Sequence, residues 1–169
     1  MSTSTLLQAL FRHKAWANEE LFAELAKVDP VKHAAERHSA TRLLSHLYVV
    51  DQIFAAHLRG EAHGHSATNT SETPTLEGLR DAVAKCDHWY IEYSGALTPQ
   101  ALSEPLDFVF TDGQPGRMSR EEVLAHVATH GSYHRGAVGR IMATVAVPPP
   151  RDLFTLYLHQ SEPQRRVRA

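Results

Sequence analysis

The sequence holds 12 histidines among 169 residues, and they are not one tag or tract. The informative run is His126-Val127-Ala128-Thr129-His130-Gly131-Ser132-Tyr133-His134-Arg135-Gly136. It spaces three histidines at i, i+4 and i+8, which on a helix share one face about a turn apart. An i, i+4 pair can place two imidazole nitrogens on a single metal ion, the geometry of helical zinc sites. The metalloprotease version of that motif needs Glu after the first histidine. Here Gly131 follows His130, so the motif brings no carboxylate of its own to act as general base.

Two imidazoles do not complete a catalytic centre, which typically takes three protein ligands and keeps one position open. His126 is a poor third ligand, because i and i+8 are about 12 Å apart along one helix. Its expected place is lining the pocket or standing behind the ligands. His46, on another helical segment, is the best third ligand. His57 lies three turns further along, near a loop, too far to join. His63 and His65 fall in a stretch rich in Gly, Ser, Thr and Asn and read as surface loop residues. The competing readings of His130 and His134 are two independently hydrogen-bonded core histidines, or histidines lining a solvated cleft.

These residues need long helices to position them, and the apolar periodicity supplies four. Residues 5–28 carry Leu6, Leu10, Ala17, Leu21, Leu25 and Val28 on one face, with Ser4 as N-cap and Asp29-Pro30 as the stop. Residues 40–59 carry Leu43, Leu47, Val50, Phe54 and Leu58, with Ser39 as cap and Gly60 at the C-terminal end. His46 borders that face. Residues 75–97 give an unbroken stripe of Leu76, Leu79, Val83, Cys86, Tyr90, Tyr93 and Leu97, which makes Cys86 an inert buried thiol. Residues 119–146 begin with the capping box Ser119-Arg120-Glu121-Glu122. Val127, His130, His134, Val138, Ile141 and Val145 follow one face, so both histidines are expected to point inward. Between the third and fourth long helices, Leu106–Phe110 is β-prone and Thr111-Asp112-Gly113 reads as a turn, predicting a short hairpin or extended crossover. Residues 151–161 suggest a short amphipathic segment. The fold class is all-α, a four-helix bundle in one domain over residues 1–169, with loops long enough for an order other than up-down-up-down.

Composition bounds the function. With 43% hydrophobic and 21% charged residues, the chain is an ordinary globular one. No apolar run approaches the roughly 18 residues of a membrane helix. Seventeen basic against 19 acidic residues leave a formal charge of −2, which speaks against a nucleic-acid footprint. The cluster Arg165, Arg166 and Arg168 is too small for one and reads as a solvated tail. A single cysteine and a start without a basic and apolar leader make the cytoplasm the expected compartment.

Several of these segments together resemble the DinB superfamily. Trp16-Ala17-Asn18 resembles its Y/H-x-x-W-A-N opening, Leu43-Leu44-Ser45-His46-Leu47 with Asp51 its second-helix ligand segment, and His126-x-x-x-His130-x-x-x-His134-Arg135-Gly136 its H-x-x-x-H-R-G-Q signature. The resemblance covers almost the whole chain. It implies a four-helix bundle with a left-handed connection order, and a homodimer packed through helices. It also implies a divalent metal, nickel or zinc, on His46, His130 and His134. Characterised relatives use the open metal position to bind and activate a low-molecular-weight thiol, which implies a thiol S-transferase or hydrolase acting on a small-molecule substrate. The rival reading is a non-catalytic, metal-stabilised stress or partner-binding protein. Ala137 stands where the signature often has Gln, removing a polar group beside the site. His126 and Asp51 are candidate groups behind the ligands, and Tyr133 and Trp16 candidate pocket walls.

Overall fold

In the computed structural model, which describes residues 2–166, four long helices form a bundle. They are α1 (Thr3–Leu25), α2 (Ala34–Arg59), α3 (Leu76–Ala96) and α5 (Arg120–Thr144). A single turn, α4 (Pro99–Ser103), leads into an antiparallel hairpin of β1 (Pro105–Val109) and β2 (Pro115–Ser119), with Phe108 paired to Gly116. A short α6 (Phe154–Ser161) and a 3-10 turn over Pro163–Arg165 follow α5. Among the described residues no helix is long and apolar enough to cross a membrane. Arg165 pairs with Glu162, and Arg168 lies outside the described residues.

The bundle is not wound in sequence order. α1 packs on α3 and α5, and α2 packs on the same two, so the consecutive helices α1 and α2 stand diagonally opposite. The crossing between them is tight. Asp29 Oδ1 accepts from the backbone N–H groups of Val31 and Lys32. Arg37 Nη1 on α2 donates to the carbonyls of Leu25, Ala26 and Val28 left open at the end of α1. That turn lets α2 begin at Ala34, so Ser39 is inside the helix rather than its cap. Ser2, not Ser4, caps α1, accepting from the N–H of Thr5. The capping box of Ser119 and Glu122 starts α5 as the sequence indicates, and Gly60 ends α2 in the left-handed conformation (φ 71°).

The core is divided along its length. Near one end Phe11, Phe54, Tyr90, Phe108, Val123 and Val127 pack together, with Leu102 of α4 closing the bottom. Near the other, Leu21, Leu25, Leu44, Val83, Val138 and Met142 do so. Between them runs a layer of buried polar groups: Lys14 and Asn18 from α1, Ser45 and Asp51 from α2, Asp87 from α3 and Arg135 from α5. Lys14 Nζ donates to Asp51 Oδ2 at 2.6 Å and to Asp87 Oδ1 at 2.5 Å, and Asn18 Nδ2 donates to Asp87 Oδ2 at 2.7 Å. Burial alone would lower the lysine pKa; the two carboxylates outweigh it and hold the ammonium charged. Burial pushes Asp51 up to about 6 against the pull of Lys14, and the like charge of Asp87 adds to the push.

Candidate metal centre

The centre is built where α2 lies along α5. Hydrophobic burial fixes the roll of each helix. In α5 the innermost positions are Val127, Gly131, Arg135, Val138 and Met142, one residue round from the face read in the sequence. His130 and His134 therefore sit on the flank of the buried face, half-buried and turned toward α2, rather than at its centre. Gly131 takes one of the innermost positions instead. A Cβ on residue 131 would stand 3.0 Å from Arg135 Nη1 and 3.2 Å from Lys14 Cε, so the glycine is where the lysine of the polar layer passes under α5.

Across from them, His46 projects from α2 between the buried Ser45 and Leu47. One ligand atom from each of His46, His130 and His134 lies within 4.8 Å of the others. The rings meet edge to face, with centroids 5.2 Å apart for His46 and His130, 4.7 Å for His46 and His134, and 4.4 Å for His130 and His134. His46 Nδ1 donates to the carbonyl of Thr68 at 2.7 Å, since a carbonyl can only accept. In the neutral ring that leaves Nε2 with a free lone pair, and it points at His130 Nε2, 3.3 Å away. Burial pushes the His130 pKa down to about 3, helped by the neighbouring His134 and His46, and burial lowers that of His134 as well. Both are neutral imidazoles near pH 7, the form that binds a metal.

These residues fit a divalent ion. Two nitrogens bound at about 2.0–2.1 Å to one tetrahedral ion stand roughly 3.3 Å apart, as the facing Nε2 atoms of His46 and His130 do. The Nδ1 atoms of His130 and His134 are buried without a hydrogen-bond partner; in His130, whose Nε2 faces the site, that Nδ1 is the far nitrogen and not the ligand. A carbonyl holding the far nitrogen of a ligating ring is the usual support of such a site, and Thr68 supplies it for His46. Its loop is fastened to α2 by Arg42 Nη1 donating to the Thr70 carbonyl, Asn69 Nδ2 to the Arg42 carbonyl, and a Ser45–Thr70 hydroxyl pair. Among the described residues, no other group of three or more His, Cys, Asp or Glu side chains comes together in this way.

A cavity of about 300 Å³ opens onto His46 and His130 between α2, α5 and the hairpin. His126 lines it, with its ring stacked on His130 at 5.4 Å, which is the pocket position expected of it. A larger cleft, about 470 Å³, lies between α1 and α3, away from His46, His130 and His134; Trp16 lines that one. Tyr133 is 76% exposed, meets the His134 ring at right angles, and does not line the cavity beside the histidines. Asp51 belongs to the Lys14 layer, not to the histidines. Cys86 is half-buried, and burial pushes its thiol up to about 12, so it carries no thiolate near neutrality.

Three features escaped the sequence reading. His57 lines the cavity, stacked on Phe108 at 4.9 Å. His63 and His65 are not free loop residues: His63 meets His57 edge-on at 5.1 Å, and His65 Nε2 pairs with Gln52. The Lys14–Asp51–Asp87 layer is also missed: Asp51 reads as standing behind the ligands, and Lys14 and Asp87 on amphipathic helices give no sign of being buried.

Compared with known protein families, the chain matches the DinB family over residues 1–166. This chain belongs to the DinB family. Among curated proteins it is similar to Protein DinB of Bacillus subtilis (strain 168), with 22% identity over 166 residues, covering 92% of this chain and 95% of that one. No solved structure matches it. Family membership and the three-histidine cluster both fit a metal-binding DinB-like protein.

Proposed function

We propose that this DinB family member is a divalent-metal-dependent enzyme, a thiol S-transferase or a hydrolase, with nickel or zinc held by His46, His130 and His134. The observation that carries this is the convergence of three imidazoles from two helices beside a ligand-sized cavity. Held by three neutral imidazoles, a divalent ion would keep its full charge and would supply Lewis acidity, lowering the pKa of a water or low-molecular-weight thiol toward neutrality.

The chain's own residues do the rest. The Thr68 carbonyl holds the His46 ring in one tautomer, so its Nε2 stays a lone-pair donor. Partial burial keeps His130 and His134 unprotonated. Val50, Ile53 and Phe54 keep the floor of the cavity apolar and exclude bulk water from one side of the histidines. His126, next along α5, is placed to accept or return a proton at a group held near His130.

A nitrophenyl ester and an aryl halide with added thiol separate the two reaction types. Turnover of either by zinc- or nickel-loaded protein, falling to background in His134→Ala, supports the reading. Stoichiometric metal with no turnover of any ester or thiol–electrophile pair would favour a non-catalytic, metal-stabilised partner-binding protein. A homodimer and a cytoplasmic location complete the proposal, and light scattering at twice the chain mass checks the dimer.

A further inference from the structure

The cavity beside the histidines has an unusual lining for a site served by polar chemistry. Its walls are Val50, Ile53 and Phe54 from α2 and Phe110 and Met118 from the hairpin. The polar groups that reach it are histidines and threonines, and among the described residues that line it there is no Asp, Glu, Lys or Arg. At about 300 Å³ it lies at the small end of the range for ligand pockets, roughly 300–1,000 Å³.

The packing behind the outer wall depends on a glycine. A Cβ on Gly116 would meet the Phe108 ring at 2.6 Å and the Phe110 ring at 2.8 Å, so both rings can lie over β2 only because residue 116 has no side chain. The two rings meet edge to face at 5.0 Å. Phe110 remains 44% exposed at the cavity mouth, an aromatic surface left for something else to cover. On the inner side His57 lies against Phe108, and burial lowers its pKa, so this wall brings no positive charge near neutral pH.

We infer that this cavity takes a small uncharged organic molecule with an aryl or alkyl body, packed between Phe54, Phe110 and Met118, with its polar end toward the histidines. With no ion on the histidines, a carboxylate or ammonium entering there would lose its hydration and meet no opposite charge, whereas an apolar body gains by burial; an ion held there would attract only the end of the molecule that reaches it. If the site works as a transferase, a thiol cofactor rich in carboxylates must leave them outside, and the cavity belongs to the electrophile. The orientation toward the histidines rests on the metal-centre reading; the preference for an uncharged body does not.

The test uses metal-free, isotope-labelled full-length protein near neutral pH, with the Met118 methyl and Phe110 ring signals followed by NMR. The probes are benzyl alcohol, benzoate and benzylamine, which share a ring and differ in charge. Benzyl alcohol should give saturable shifts at concentrations at least about tenfold lower than either ion requires. Phe110→Ala should weaken that binding, and Thr111→Trp, which places an indole at the mouth, should abolish it while the remaining spectrum stays that of a folded protein. Equal or tighter binding of benzoate or benzylamine, no saturable shift with benzyl alcohol, or binding indifferent to both variants would overturn the inference. Metal uptake measured on the same samples separates the two readings. A neutral-ligand preference without metal uptake leaves the cavity standing and removes the metal centre. Metal uptake without the preference does the reverse.

Discussion

A His46 ring that gives its Nδ1–H to the Thr68 carbonyl has one nitrogen left, and that nitrogen faces His130. The residues around it are held by a different kind of interaction, a buried ammonium shared between two carboxylates. Replacing Lys14 by Met leaves Asp51 and Asp87 buried without their counter-charge. Urea denaturation near pH 7 should then show a loss of about 3–5 kcal/mol. Adding Asp51→Leu and Asp87→Leu to that variant should recover much of it, because an apolar trio needs no counter-charge. Failure to recover would mean that the Lys14 chain matters for its packing under Gly131 instead. At this scale the pairing of His130 and His134 was legible, since i, i+4 spacing reports directly on what a helix brings together; His46, on another helix, was indicated only by its place beside an apolar face and by the family resemblance. It was silent on Lys14 and Asp87, because a charged residue on an amphipathic helix looks the same whether it faces water or a partner on another helix. Thr68 was equally hidden: it acts through its backbone, which side-chain pattern does not encode.

At the scale of elements, two small ones complete the long helices. The chain after α5 is clamped by Asp152, whose Oδ2 accepts from Arg135 Nε at 2.8 Å while its Oδ1 lies 3.0 Å from His13 Nε2, close but off the hydrogen-bond line. α6 then lies over α1, with Phe154 and Tyr157 against His13 and Tyr157 against Trp16. Burial alone would raise the Asp152 pKa; His13 and Arg135 outweigh it and hold the carboxyl at about 2. A depressed carboxylate pKa stabilises the fold above its unfolded value, about 3.9, and that contribution is lost as pH falls toward 2. Comparing wild type with Asp152→Asn, the stability difference should be full above about pH 4 and shrink between pH 4 and 2. A difference independent of pH would show that the clamp acts by shape alone. The hairpin makes a steric prediction: Gly116→Ala must displace the Phe108 and Phe110 rings, and should weaken benzyl alcohol binding without changing metal stoichiometry. The hairpin and the short C-terminal helix were legible from the β-prone run, the turn and the apolar residues that follow. The one-residue roll of α5 was not, because Gly131 and Arg135 carry no hydrophobic signal although both are buried.

For the whole molecule, the design is a bundle with two apolar ends and a polar waist. The long helices and the crossover could be read from periodicity and capping, but the diagonal placement of α1 and α2 could not, since a stripe says that a face is buried and not against which helix. The three histidines lie beside that waist and span α2 and α5, so an ion held there joins two helices distant in sequence. At a free metal concentration of about 100 times Kd, such binding should add about 2.7 kcal/mol. For a domain of this size that is roughly 5–10 °C in Tm, and His46→Ala should remove the gain. The most direct measurement is elemental analysis of untagged protein, purified without chelators, beside His46→Ala and His130→Ala variants that remain folded by circular dichroism. About one nickel or zinc per wild-type chain, lost in both variants, is the expected result. Wild-type protein that holds no divalent metal and takes up none on reconstitution, or variants that keep it, would contradict the metal centre.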